Sequence, residues 1–312
     1  MEQQLEQRKG MIYAVISYVI WGVLPIYWKL VDQVNAGEIL AHRIVWSFVF
    51  MIFVLYVSKQ WGAFLAQCKQ LFRRPKPFIL LFLSAILISG NWFIYIWAVN
   101  HGHVIEASLG YYMNPLISIL LGMIILKEKL NFWQLASVLL AAIGVAIVTL
   151  RYGSFPWIAI ALAVSFGLYG LVKKLTSFEA AIGLTFETLI TAPIAFVYLI
   201  MLQAKGASAF GTTSLSIHLL LIGSGIVTAT PLLYFAKGTK LIPLSMIGFL
   251  QYIAPTISLV IGVFMFHEHF TKMHMIAFVF IWIALVIFSL AKTKFMLGIE
   301  PKLRKTKTAK AS

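Results

Sequence analysis

Ten stretches of the chain stay apolar for about 20 residues, the length of helix needed to cross about 30 Å of hydrocarbon. They run approximately Met11 to Val31, Ile39 to Val57, Phe78 to Asn100, Val104 to Leu126, Asn131 to Leu150, Pro156 to Leu171, Phe178 to Leu202, Ser216 to Ala236, Pro243 to Phe266 and Met273 to Ala291. Polar links as short as His101 to His103, Lys127 to Leu130 and Lys237 to Ile242 make consecutive helices antiparallel neighbours. The first stretch is too long for the core of a secretory signal, carries Trp21 and Pro25, and precedes nine more spans, so it is expected to be an uncleaved helix. The expected fold class is an all-α polytopic membrane protein with ten transmembrane helices.

Composition agrees with the pattern. Of 312 residues, 61% belong to the apolar set and 11% are charged, with a mean hydropathy of +0.92, whereas a soluble domain carries about 25% charged residues. Cys68 is the only cysteine, which excludes an intramolecular disulfide and a zinc-thiolate site. The net charge of +15 reads as topology, because Lys and Arg collect on cytoplasmic loops. With the N-terminus cytoplasmic, the inside collects twenty Lys/Arg and the outside four, Arg43 lying within a helix. Both termini are therefore expected in the cytoplasm, with the aromatic residues of a nucleic-acid binder scarce in the basic tail.

The chain also repeats itself. Tyr112-Met113-Asn114-Pro115-Leu116-Ile117-Ser118, Gly122 and Glu128 return as Tyr252-Ile253-Ala254-Pro255-Thr256-Ile257-Ser258, Gly262 and Glu268, at a constant offset of 140. Trp21-Gly22 and Lys29-Leu30 find an echo in Phe166-Gly167 and Lys174-Leu175 at an offset of 145. Two halves of five helices follow, residues 11–150 and 151–291, between an N-terminal segment 1–10 and a basic tail 292–312. Because five is odd, the second half enters the membrane from the opposite side, and inverted repeats of this kind build alternating-access transporters.

The pattern Tyr-x-x-Pro-x-x-Ser-x-x-x-Gly closing on a Glu, with an aromatic-Gly in the first helix of each half, resembles the EamA family of the drug/metabolite transporter superfamily. Trp21 to Lys29, Glu38 with His42-Arg43, and Gln251 to Pro255 are similar to its RarD-like branch, with Ala254 standing where branch members often have Gly. The resemblance covers nearly the whole chain and implies a ten-helix bundle that moves small metabolites or drugs across the bacterial inner membrane.

Candidate chemistry lies in polar groups that lipid makes costly, since a charge at the bilayer centre costs roughly 2.5–3.5 kcal/mol on insertion scales. Arg43 and Glu106, both about one turn inside the outer ends of their helices, are expected either to cap a cavity, with Arg43 exchanging Glu106 for an anionic or zwitterionic solute, or to form a fixed ion pair. Glu187, near the middle of the seventh span, is a candidate for proton coupling or a packed, hydrogen-bonded carboxylate. Asn91, Trp92, Tyr95, Tyr111, Asn114, Gln251 and Tyr252 fall near mid-depth and are expected to line the solute site or to pack between helices. Pro115 and Pro255 occupy equivalent positions and suit either hinges or static kinks. Glu128 and Glu268 oppose the dipole at helix ends and call for structural contacts. Ser137, Ala141 and Ala142 suit a homodimer contact or packing within the bundle alike. No phosphate loop occurs, His267-Glu268-His269 with His274 misses the helical metal spacing, and no cofactor is expected. The expected activity is secondary transport of a small organic metabolite or drug, with export as the expected direction; the alternative is a membrane-embedded enzyme acting on lipid or peptide.

Overall fold

The computed structural model describes residues 2–71, 75–151, 155–267, 272–291 and 293–299, and among them every regular element is a helix. The elements are α1 (Glu2–Lys29), α2 (Ala36–Val57), α3 (Trp61–Leu71), α4 (Pro75–Asn100), α5 (Val104–Ile124), α6 (Phe132–Arg151), α7 (Trp157–Leu175), α8 (Ala180–Ala204), α9 (Leu215–Leu241), α10 (Leu244–Leu250), α11 (Ile253–Phe264), α12 (Lys272–Leu290) and α13 (Lys294–Gly298). Counting α10 and α11 as one interrupted span, nine helices among the described residues are long and apolar enough to cross a membrane, and α12 supplies a shorter apolar tenth.

Packing shows the inverted repeat. The equivalent helices are α1 and α7, α2 and α8, α4 and α9, α5 and α10–α11, α6 and α12. Each major contact has its symmetry mate: α5 on α7 matches α11 on α1, α1 on α9 matches α7 on α4, and α2 on α9 matches α8 on α4. The contacts α2–α8, α6–α12 and α5–α10 map onto themselves. Glycines set the closest approaches. A Cβ on Gly22 would stand 2.7 Å from Ile257 Cβ, and one on Gly167 would stand 2.8 Å from Ile117 Cγ2, so the two sequence echoes meet each other in both halves.

Three features differ from the sequence expectation. The segment after the second span forms α3, whose Phe64 and Leu71 are buried and whose Phe64 ring lies 4.7 Å from that of Phe186. The expected N-terminal tail is helical from Glu2 onward. The ninth span breaks at Gln251–Tyr252, four residues before Pro255, which lacks the N–H that would reach back and whose ring crowds the carbonyl there; the Ala254 amide closes on Gln251 O at 3.2 Å instead. Pro115, by contrast, lies within an unbroken α5. Of the small residues considered for a homodimer, Ser137 and Ala141 are fully buried on the helix that packs against α12, and Ala142 is half-buried. Glu268, His269 and most of the basic tail lie outside the described residues.

Candidate functional site

Helix α2 starts where the Asn35 side chain accepts the Gly37 amide at 2.8 Å. Its first turn is anchored by Glu38, which accepts the Ser208 hydroxyl at 2.6 Å and the backbone amides of Ala209 and Phe210 at 3.0 and 3.1 Å. Further along, α2 meets α9 at Gly225, where a Cβ would stand 2.5 Å from the Ser47 amide nitrogen. Between these fixed points sits Arg43, seven residues into the helix and so about 10 Å below its end.

The Arg43 guanidinium lies over the rings of Trp28 and Trp92, 4.6 and 5.2 Å from their centroids, and its Nε donates to Thr228 Oγ1 at 3.0 Å. Among the described residues no carboxylate lies within 4.0 Å of it. Tyr95 and Tyr111 are close enough to feel its charge, and their rings meet 5.9 Å apart, edge to face. Tyr111 is 50% exposed. Asn91 lies nearby on α4 and donates to Leu162 O and Ser165 Oγ, both at 2.9 Å.

On the side bearing the N-terminus, an aromatic cluster lies deeper in the bundle. Trp21 meets Phe166 and Phe235 with centroids 5.7 Å from each, and Tyr18 and Tyr169 pack against the same Phe235. Tyr18, Tyr169 and Phe235 are buried.

The remaining expected residues separate. Tyr252 is fully buried in the α5–α6–α12 core and its hydroxyl points at Tyr112 O, 3.4 Å away. Asn114 Oδ1 and Gln251 Oε1 are buried without a hydrogen-bond partner among the described residues. Glu106 belongs to the first turn of α5, shallower than Arg43, and accepts the Ile158 amide at 2.8 Å with His103 Nδ1 3.8 Å away. It therefore caps the start of α7, and the Arg43 partnership considered from the sequence gives way to this contact. Glu128 plays the same part for α10, accepting the amides of Leu244 and Ser245 at 2.7 and 2.8 Å.

Glu187 lies seven residues into α8, about 10 Å from its start and five residues before the helix midpoint. Its Oε1 accepts from Lys173 Nζ at 2.8 Å and from Ser84 Oγ at 2.6 Å, and its Oε2 accepts from Tyr169 at 3.2 Å. The sixth span was expected to end at Leu171, before Lys173 and Lys174. Both are in the last turn of α7, Lys173 completely buried and Lys174 donating to the carbonyls of Thr239 and Ile242 at 3.0 and 2.7 Å. Trp28, Thr228, Ser84 and Lys173 were the site residues missed. The only signal for them was the repeat offset, which relates Trp28 on α1 to Lys173 on α7 and Ser84 on α4 to Thr228 on α9.

Residues 8–150 match the model of the EamA-like transporter family. The chain is 51% identical to "Uncharacterized transporter YojE" of Bacillus subtilis, covering 94% of this chain and 97% of that protein. It is 43% identical to "Protein RarD" of Escherichia coli, covering 91% and 94% respectively. A solved crystal structure at 18% identity superposes with a TM-score of 0.73 over 92% of this chain and 99% of its own, which shows a shared fold. With the inverted ten-helix bundle and these relatives together, the chain belongs to the EamA family of the drug/metabolite transporter superfamily, in its RarD-like branch, and is a multi-pass membrane transporter.

Proposed function

We propose that the protein is a secondary transporter that moves a small organic solute with an acidic group and a flat or apolar body by alternating access. The observation that carries this reading is Arg43. A guanidinium deep in a bundle normally meets a carboxylate, and this one is held between two indoles and a hydroxyl beside a half-accessible tyrosine. Cation–π contact steadies the charge without neutralising it, so an incoming anion gains its full attraction. The aromatic walls of Trp28, Trp92, Tyr95 and Tyr111 suit the body of the solute, and Asn91 lies one turn before Tyr95 on the same helix.

In this reading the cavity opens on the far side, while the Tyr18, Trp21, Phe166, Tyr169 and Phe235 cluster closes the side of the N-terminus. Both termini are cytoplasmic in the bacterial inner membrane, as the charge count favours, and transport is outward. Solute exchange or the solute gradient drives the cycle. Proton coupling through Glu187 enters only when its pair with Lys173 opens. Pro255 at the α10–α11 break is the hinge and Pro115 a fixed kink. No enzymatic role is proposed.

The test is a thermal-shift screen of purified protein and Arg43→Gln against amino acids, nucleosides, sugar phosphates, organic acids, cationic drugs and chloramphenicol. Ligands stabilise by mass action whatever the direction of transport. Acidic compounds that stabilise only the parent protein, and then cross the membrane of proteoliposomes, are the expected result. Hits confined to cationic compounds, unaffected by Arg43→Gln, would overturn the solute class.

A further inference from the structure

The Arg43 cluster has a counterpart in the other repeat. Trp28 and Lys173 are separated by the same 145 residues as Gly22 and Gly167. Arg43 and Glu187 each stand seven residues into the equivalent helices α2 and α8, an offset of 144. The same offset of 144 relates Ser84 on α4 to Thr228 on α9. The hydrogen bond from Arg43 to Thr228 is thus the symmetry mate of the one from Ser84 to Glu187. The trio Trp28, Arg43 and Thr228 near the far side therefore corresponds, residue for residue, to Lys173, Glu187 and Ser84 near the side of the N-terminus.

The two trios differ in charge and in access. The far-side trio has a cation and, among the described residues, no carboxylate within 4.0 Å, and its Trp28 and Arg43 are partly exposed although Thr228 is buried. The other has a cation with its own carboxylate at 2.8 Å, and Lys173, Glu187 and Ser84 are 1%, 3% and 2% exposed. Inverted repeats exchange environments as the molecule passes from one open form to the other, so the trio sealed here is the trio that opens next. A buried ion pair is a poor way to gain stability, because apolar residues of similar volume do as well, and pairs of this kind are best attested as devices for register or switching. A lysine suits that work, its ammonium moving as a point charge on a flexible stem.

We propose that Lys173 is the second anion contact of the transport path. In the form open toward the N-terminus its ammonium exchanges Glu187 for the acidic group of the solute, and in the form seen here Glu187 fills that place. The solute's charge is then met by Arg43 at one station and by Lys173 at the other, and the pair re-forms when the solute is absent. This rests on the transport reading above, and the test separates the two.

Two single-thiol variants, Ser84→Cys and Thr228→Cys, each in a Cys68→Ser background, are labelled in oriented vesicles from either side. The probes are anionic sulfonatoethyl and cationic trimethylammonioethyl methanethiosulfonate, with rates corrected for each reagent's reaction with 2-mercaptoethanol. The expected result is that the Ser84→Cys thiol reacts from the side of the N-terminus and the Thr228→Cys thiol from the opposite side. Both should prefer the anionic reagent by roughly tenfold, a bias worth ~1.4 kcal/mol. Glu187→Gln should raise the preference of the Ser84→Cys thiol. The double replacement Lys173→Met with Glu187→Leu, which leaves no unpaired charge to unfold the bundle, should abolish it there and leave the Thr228→Cys thiol unchanged. A thiol at position 84 that is unreactive, shows no anion preference, or keeps it after the double replacement overturns the second station. In an Arg43→Gln background the Thr228→Cys thiol should lose its preference; a thiol at position 228 that shows no anion preference, or keeps it without Arg43, overturns the transport reading itself.

Discussion

Trp21 and Phe166 are equivalent residues of the two repeats, and they touch each other, edge to face at 75° with centroids 5.7 Å apart. Residues related by a two-fold axis can meet only on that axis, so this pair marks it, as Tyr112 and Tyr252 do with their 3.4 Å contact. An axial contact between the halves is remade whenever they rock against each other. The cluster around Trp21 therefore packs the two halves together, and in the proposed transport cycle it also closes the path on the side of the N-terminus.

Trp21→Ala should lower stability by about 3 kcal/mol, in the range measured for large aromatic truncations, and read as a lower unfolding midpoint in detergent. It should also speed labelling of the Ser84→Cys thiol from the side of the N-terminus. A stability loss without faster labelling would make the cluster packing alone.

Arg43→Lys keeps the charge and loses the flat face that lies over Trp28 and Trp92. Cation–π contacts in desolvated sites contribute ~2 kcal/mol, so affinity for an acidic solute should fall roughly tenfold to thirtyfold. Arg43→Gln removes the charge and should weaken binding further, while both variants keep the parent unfolding midpoint within a few degrees. Calorimetric titration with a solute found in the thermal screen measures the ranking, and equal affinities for Lys and Gln would show that charge plays no part.

Most of the fold was legible because lipid imposes a length and a composition on each span, and because the motif ending at Glu128 and at Glu268 repeats at a fixed offset. The site was less legible. Arg43 could be singled out as an intramembrane charge, but its partners Trp28 and Thr228 come from helices 15 and 185 residues away in sequence, and no local pattern joins them. Lys173 was hidden by its position at a span's end, where a lysine ordinarily faces water. Glu106 and Arg43 lie on the same side of the bundle, and sequence depth could not show that the amide of Ile158 would claim the carboxylate. The break at Gln251 needed tertiary context too, since Pro115 leaves α5 continuous.

Glu128 holds the first two amides of α10 with both carboxylate oxygens. Glu128→Ala should cost about 1–2 kcal/mol, as for loss of a helix cap, and Glu128→Gln should recover part of it by keeping one acceptor. Gly122→Ala should act on the same joint, because its Cβ would stand 2.7 Å from Glu128 Oε2 and 3.0 Å from the Ser245 amide nitrogen. Thermal unfolding of the two singles and the double checks the linkage. Additive losses from Glu128→Ala and Gly122→Ala would separate the two effects.

Cys68 lies on α3, outside the membrane spans, and burial pushes its thiol above the usual range. The thiolate is the reactive form, so less of it is present at neutral pH than in a free cysteine. Maleimide labelling of the folded protein should be slower than that of a small thiol at pH 7 and should climb with pH through a higher midpoint. A rate profile matching free cysteine would place the side chain in open solvent.

The strongest test of the buried pair lies in its asymmetry. Removing one partner leaves the other charged and sealed, a loss of about 3–5 kcal/mol, whereas replacing both with apolar residues of similar volume is often neutral. Lys173→Met should accordingly destabilise the protein severely, because Glu187 keeps only the Ser84 and Tyr169 hydroxyls. Adding Glu187→Leu to it should restore the unfolding midpoint to near the parent value. Tyr169→Phe, which deletes one hydroxyl donor at 3.2 Å, should cost about 1 kcal/mol on its own and nothing in the double replacement, since no carboxylate remains to accept. If Tyr169→Phe costs the same in both backgrounds, that hydroxyl acts through packing, and the network reduces to Lys173, Glu187 and Ser84.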